Sequence, residues 1–336
     1  MNIQENISLK SYTTFMTQAS SRFFTKISSV KDIISLVHND VWKRNPYILG
    51  GGSNILFTKD YDGLIVINNL QGKKIINETE EYLDVEYMTG ESWHECVLWS
   101  VENNLWGIEN LVLIPGTIGA SAVQNIGAYG VEVSETIISV EVVNLDNGTI
   151  ETLSKSDCSF GYRQSIFKKY PEKYFITTVT YRLSKIPQPK LSYGSLQQEL
   201  EKNNSKNPSL QEITDIISTV RRKKLPDVGS IGMAGSFFKN PIIDKNHFDK
   251  IIKEYPTMPS YQLENNMRKI PAGWIIETLG YKGFKEGNVG TYEKHALVLV
   301  NYGNATGEQV WDFAQKIMKK SKKIFNIELD PEVIVL

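Results

Sequence analysis

Apolar and polar positions alternate along this chain in short runs, and only a few stretches repeat at helical spacing. Tyr47-Ile48-Leu49 and Ile55-Leu56-Phe57 flank Gly50-Gly51-Gly52, a pattern that predicts strand, tight turn, strand, and Gly63-Leu64-Ile65-Val66-Ile67 predicts another strand. The apolar runs over 136–143 and 149–153 lie on either side of Asp146-Asn147-Gly148. They predict a hairpin whose Asn-Gly supplies the positive φ angles of a tight turn. Helical spacing recurs over 31–38, 93–103, 210–224 and 307–325. The predicted class is mixed α and β, with no internal repeat. The stretch 185–207 holds Pro187, Pro189 and the polar run 201–207, and it is the predicted boundary ahead of a C-terminal domain.

At 336 residues the chain exceeds the usual size of a single core, so two or three domains are expected. A formal net charge of -1 gives no whole-protein field for nucleic acid or an anionic membrane, and any anionic ligand must meet a local cluster. The two cysteines, Cys96 and Cys158, lack metal-type spacing. They read as buried free thiols of a reducing compartment, with a single disulfide as the alternative. The first residues carry no basic start followed by an apolar run, and no apolar stretch approaches membrane-spanning length, so a soluble cytoplasmic protein is expected. Histidines at 38, 94, 247 and 295 show no ligand spacing, so no catalytic metal is expected.

Four segments carry candidate chemistry. Gly50-Gly51-Gly52-Ser53-Asn54 exposes successive backbone N–H groups, which suits a diphosphate or a hairpin turn. It is not a dinucleotide fingerprint, because Ile55 stands where G-x-G-x-x-G needs glycine. Gly116, Gly119, Gly127 and Gly130 are interleaved with Ile114, Ile118, Val123, Ile126 and Tyr129. That combination offers close backbone approach and apolar surface to a flat ring, or a glycine-rich link between core strands. In Gly235-Ser236-Phe237-Phe238-Lys239-Asn240-Pro241 the serine hydroxyl is either shielded from water by a ring pair or is a turn serine beside a strand. The basic run Arg221-Arg222-Lys223-Lys224 is either a phosphate contact or a solvated helix end.

Gly50 to Asn54, Ile114-Pro115-Gly116-Thr117 running to Gln124 to Gly130, Gly161-Tyr162-Arg163, Gly235 to Pro241 and Pro331-Glu332-Val333 stand in the order found in the UDP-N-acetylenolpyruvoylglucosamine reductase (MurB) family. The chain resembles that family from about Thr14 to its C-terminus. The resemblance implies an α+β, three-domain flavoenzyme with a non-Rossmann FAD-binding fold of the vanillyl-alcohol oxidase (PCMH) type and a C-terminal substrate domain. Its lobes would be 1–70, with the strand 330–336 packing there, and 71–205, followed by a substrate domain over 206–329. It implies non-covalent FAD, NADPH as hydride donor, and reduction of UDP-N-acetylglucosamine enolpyruvate to UDP-N-acetylmuramate for peptidoglycan. NADPH and substrate would take turns, giving ping-pong kinetics, in a monomer that binds neither nucleic acid nor membrane.

The family pattern places FAD on Gly50, Gly51, Gly52, Ser53, Asn54, Pro115, Gly116, Gly119, Asn125, Gly127 and Ala128. It assigns Ser236 as proton donor to C2, after hydride from flavin N5 has reached C3. It also assigns Arg163 and Glu332 as stabilisers of the enolic intermediate. Tyr193, Arg221, Lys224, Asn240 and His295 fall at substrate-contact positions, Tyr193 on a loop that closes over the substrate in one subgroup of the family. The residue types suit this chemistry, since a guanidinium fork matches a carboxylate gaining charge and a positioned dry hydroxyl can protonate a strongly basic enediolate. Family members often carry proline where Ala122 stands, which leaves this loop less rigid. An FAD-dependent alcohol or sugar oxidase of the same cofactor fold is the alternative enzyme, but it leaves Ser236, Glu332 and Tyr193 without a role. A nucleotide-binding or nucleic-acid-binding module using the basic run is the non-enzyme alternative, and near-zero net charge weighs against it.

Overall fold

The computed structural model describes residues 2–202, 205, 207–226 and 229–336. Asn203, Asn204 and Lys206 of the polar run lie outside the described residues. By compactness the chain divides into two units, each built from three separated segments. Unit one comprises Met1–Ile7, Arg22–Gly51 and Asp62–Arg221; unit two comprises Ser8–Ser21, Gly52–Tyr61 and Arg222–Leu336.

Unit one is built on a five-stranded antiparallel sheet in the order Ile150–Ser154, Ile137–Asn144, Tyr174–Ser184, Tyr82–Met88, Lys73–Glu78. Alternation along its strands serves two cores: Val142 and Ile176 enter one, while their neighbours Val143 and Phe175 enter the other. Helix α1 (Val30–Val37), opened by a Ser29/Asp32 capping box, supplies Ile33 and Leu36 to the second core. Helices α2 (Trp93–Glu102) and α3 (Ile118–Gln124) pack in the first, followed in sequence by the single turn α4 (Ile166–Lys169). Trp93 is fully buried there and donates from Nε1 to the Leu111 carbonyl at 2.9 Å. Burial of a side chain this size contributes roughly 1.5–3 kcal/mol or more.

Helices α5 (Gly194–Lys202) and α6 (Leu210–Lys224) also belong to this first core, through Leu196, Leu200, Ile213, Ile217 and Val220. The change of unit therefore comes at Arg221 and Arg222, downstream of the stretch 185–207. The apolar stripe of α6 decides this, because a helix goes where its buried face is satisfied.

In unit two a sheet in the order Gly232–Ser236, His295–Asn301, Val289–Tyr292, Lys285–Glu286 is joined by a smaller one of Ile242–Asp244, Met267–Lys269 and Tyr261–Gln262. Helices α7 (Lys245–Glu254), α8 (Ala272–Thr278) and α9 (Gly307–Phe325) pack beside them. The buried face of α9 reads Val310, Phe313, Ala314, Ile317, an i, i+3, i+4, i+7 stripe. The helices expected over 31–38, 93–103, 210–224 and 307–325 are all present within a residue at each end.

Two local expectations need correction. The strands flanking the glycine run do not pair with each other: Pro46–Leu49 runs parallel to Tyr61–Asn68, and Ile55–Leu56 runs parallel to the C-terminal Ile334–Val335. The hairpin at 137–154 exists, but only Gly148 takes a positive φ, of 75°. Asn147 instead accepts from the Thr149 N–H at 2.9 Å, so the turn is wider than an Asn-Gly two-residue turn.

Candidate functional site

The two glycine clusters meet at one point. A Cβ on Gly51 would stand 2.9 Å from the Cα of Gly116, so both positions must be bare for the backbones to touch. Among the described residues, the amide N–H groups of Gly51, Gly52 and Asn54 have no hydrogen-bond partner. Just downstream, exposed Pro115 leads to Gly116, whose carbonyl accepts from Trp93 N–H at 3.1 Å. Thr117 caps α3, and Gly119, buried within α3, donates to the Thr89 carbonyl at 3.0 Å. Gly127 and Ala128 then form a minimal antiparallel ladder with Val131 and Glu132.

Asn125 has its side chain turned into the chain. It ends α3 in the left-handed region at φ 42°, fully buried, and every polar atom of its side chain is used within the chain. Its Nδ2 donates to Glu132 Oε2 at 2.8 Å and to the Gly161 carbonyl at 2.9 Å, and its Oδ1 accepts from Ser134 N–H at 3.1 Å. Arg163 lies on a turn closed by reciprocal Gly161 and Gln164 backbone bonds of 3.0 and 2.9 Å. Its Nη2 donates to the Gly127 carbonyl at 2.6 Å and its Nη1 to the Asn125 carbonyl at 3.4 Å.

Tyr193 and Arg221 are brought together by Tyr129. The Tyr193 ring meets the Tyr129 ring edge-on at 5.4 Å, and the Tyr129 hydroxyl lies beside the Arg221 guanidinium. Arg221 Nη2 donates to the Leu113 carbonyl at 3.3 Å, while its buried Nε has no partner among the described residues. Burial lowers the Arg221 pKa from its ordinary value and raises that of Tyr129, each opposed by the other group. Asn110, fully buried, donates to both the Tyr129 and the Lys190 carbonyls at 2.9 Å, tying the approach to Tyr193 onto Tyr129. Leu113, Asn125, Tyr129 and Arg163 all hold positive φ, between 42° and 58°. Such backbone costs of order 1 kcal/mol or more per residue and collects where geometry serves function.

In unit two, Ser236 ends the strand Gly232–Ser236 opposite Val298, after a register shift. That bulge, with Gly235 at φ 68°, is why the segment matches neither a helical nor an alternating pattern. Phe237 and Phe238 are buried in the core with centroids 5.1 Å apart, and they anchor the segment from below. The Phe237 carbonyl accepts from Glu332 N–H at 2.8 Å, which sets Ser236 and Glu332 on adjacent backbone runs. Asn54 holds the second run, its Nδ2 donating to the Glu332 carbonyl at 3.2 Å and its carbonyl accepting from Ile334 N–H at 3.0 Å. Asn240 spends its Oδ1 on Ala272 N–H at the start of α8, at 2.9 Å. His295 is half-buried at the head of its strand opposite Tyr292. The basic run divides: Arg221 is drawn inward, whereas Arg222, Lys223 and Lys224 are exposed.

Residues 23–154 match the FAD binding domain family, and residues 226–336 match UDP-N-acetylenolpyruvoylglucosamine reductase, C-terminal domain. The UDP-N-acetylenolpyruvoylglucosamine reductase of Flavobacterium johnsoniae is 42% identical over 338 residues, covering 100% of both chains. That of Pseudomonas aeruginosa is 38% identical over 99% of this chain and 98% of its own. The chain belongs to the UDP-N-acetylenolpyruvoylglucosamine reductase family. It is an FAD-binding oxidoreductase, a UDP-N-acetylmuramate dehydrogenase using NADPH in peptidoglycan precursor synthesis. The fold agrees with the crystal structure of the Thermus caldophilus reductase, with a TM-score of 0.69 at 20% identity over 100% of this chain and 99% of that one. The α+β class and the vanillyl-alcohol-oxidase type of FAD-binding domain are as expected.

The residues fit the cofactor of this reductase family. The Gly51 N–H is uncommitted, as a diphosphate donor must be, and Gly116 beside it carries no side chain to obstruct a ligand. Sequence reasoning missed Asn110, Leu113 and the pivotal place of Tyr129. The one signal was Tyr129 itself, a bulky residue inside a glycine cluster; a buried asparagine and a left-handed leucine leave none.

Proposed function

We propose that Ser236, Arg163 and Glu332 complete the reduction of UDP-N-acetylglucosamine enolpyruvate in a monomeric, cytoplasmic enzyme. FAD, when bound, supplies the hydride that adds to C3, having itself been reduced by NADPH. Arg163 holds the carboxylate as charge builds on it, Glu332 shares that charge through a proton, and the Ser236 hydroxyl protonates C2. Tyr193, Arg221 and Lys224 bind the sugar nucleotide, Tyr193 from a closing loop. The observation that supports this reading is the Phe237–Glu332 backbone bond of 2.8 Å, since Ser236 and Glu332 stand on neighbouring runs although nearly a hundred residues of chain separate them.

Ser236→Ala separates the half-reactions in stopped-flow flavin absorbance. NADPH should reduce the variant near the parent rate, and reoxidation by the enolpyruvyl substrate should slow by roughly 10²–10⁴. A normal reoxidation rate removes Ser236 from catalysis; equal slowing of both halves leaves it a shaping residue.

A further inference from the structure

Asn125 sits among glycines of the cofactor segment, yet none of its side-chain polar atoms is left for a ligand. Its hydrogen bonds go to two other stretches: to Glu132 and Ser134 in one, and to the Gly161 carbonyl, two residues ahead of Arg163, in the other. Its own carbonyl and that of Gly127 receive the Arg163 guanidinium. The α3 terminus, the 127–134 ladder and the 161–164 turn therefore meet on one side chain.

From this we infer that Asn125 is a positioning residue for Arg163 and not a flavin contact. This rests on the reading of Arg163 as the cation that meets the substrate carboxylate. Arg163 stands at φ 56°, a conformation an arginine does not hold unaided. A tie to Gly161 on one side and to the carbonyls of 125 and 127 on the other over-determines it. Asparagine is needed for two reasons. Its amide donates twice and accepts once, in the arrangement that Glu132, Gly161 and Ser134 require, and it tolerates the left-handed φ of 42°. Aspartate would turn the donor end toward the Glu132 carboxylate and the Gly161 carbonyl as an acceptor facing acceptors.

Asn125→Gly is the discriminating variant, because glycine takes the left-handed backbone without strain and removes only the side chain. The FAD-loaded variant should keep one flavin per chain and its NADPH reduction rate, while reoxidation by the enolpyruvyl substrate slows about tenfold to a hundredfold, as expected for a displaced catalytic group. The double variant Asn125→Gly/Arg163→Ala should reoxidise no more slowly than Arg163→Ala alone. Trypsin should cut after Arg163 faster in Asn125→Gly than in the parent, read by intact mass. Loss of flavin, equal slowing of both half-reactions, multiplicative kinetics in the double variant, or unchanged cleavage after Arg163 would each overturn the assignment. Arg163→Ala with normal reoxidation would instead sink the carboxylate role of Arg163, and the cleavage rate would still decide whether Asn125 holds the turn.

Discussion

Tyr193 has two separable parts: a ring that packs edge-on against Tyr129, and a hydroxyl at the tip of a residue that is 46% exposed. Tyr193→Phe retains the ring contact and removes the tip. If the hydroxyl meets the sugar nucleotide, substrate affinity should weaken by about 0.5–1.5 kcal/mol, one ordinary hydrogen bond, with flavin absorbance and NADPH reduction unchanged. Equilibrium titration with substrate is the check, and unchanged affinity would return Tyr193 to a turn residue. The cysteines stand at the opposite extreme. Cys96 and Cys158 are free and buried, and burial pushes both thiols up to about 12, so neither is a ready thiolate.

Among the elements, the central sheet of unit one carries its own charge pair. Arg182 and Asp84 face each other in register on adjacent strands, Nε and Nη2 donating to the two carboxylate oxygens at 2.7 and 2.8 Å, with the guanidinium 3.9 Å from the centre of the Tyr82 ring. The Arg182 guanidinium, opposed by burial and aided by Asn77, holds the Asp84 carboxyl below its ordinary value. A folded-state pKa below the unfolded one adds stability that is present above the unfolded value, about 3.9, and is lost as pH falls through the folded value. Asp84→Asn should therefore lower stability by about 1 kcal/mol near neutrality, modest because the arginine is 44% exposed and can rehydrate. The deficit should shrink in thermal unfolding as pH falls below about 4. Elements of this kind were partly legible in the sequence. The α2, α6 and α9 stripes were, since apolar spacing and caps are local properties. The partner of Ile55–Leu56 was not, because it lies at Ile334–Val335, and neither was the boundary, because the burial of Leu196 and Leu200 depends on a core assembled from elsewhere. The candidate site divides the same way: the motifs name Ser236, Arg163 and Glu332 as candidates, while the role proposed for Asn125 rests on distant groups that converge on it only in the fold.

At the scale of the whole molecule, the proposal that the glycine run meets the diphosphate of FAD through hydrogen bonds from its uncommitted N–H groups predicts release of the cofactor on denaturation. Heat or acid should leave free FAD in the supernatant at one per chain; flavin that pellets with the protein would contradict non-covalent binding. The pairing of Ile55–Leu56 with Ile334–Val335 also sets a timetable for the growing chain. The bonds around that ladder join residues 278 positions apart, so at about 5–20 residues per second the earlier strand leaves the ribosome roughly a quarter-minute to a minute before its partner exists. Unit one is complete in sequence at Arg221, whereas unit two waits for the final residues. During synthesis the strand Ile55–Leu56 is thus an unclaimed edge, and a nascent chain stalled short of its C-terminus is the form of this protein most exposed to chaperones and to mispairing.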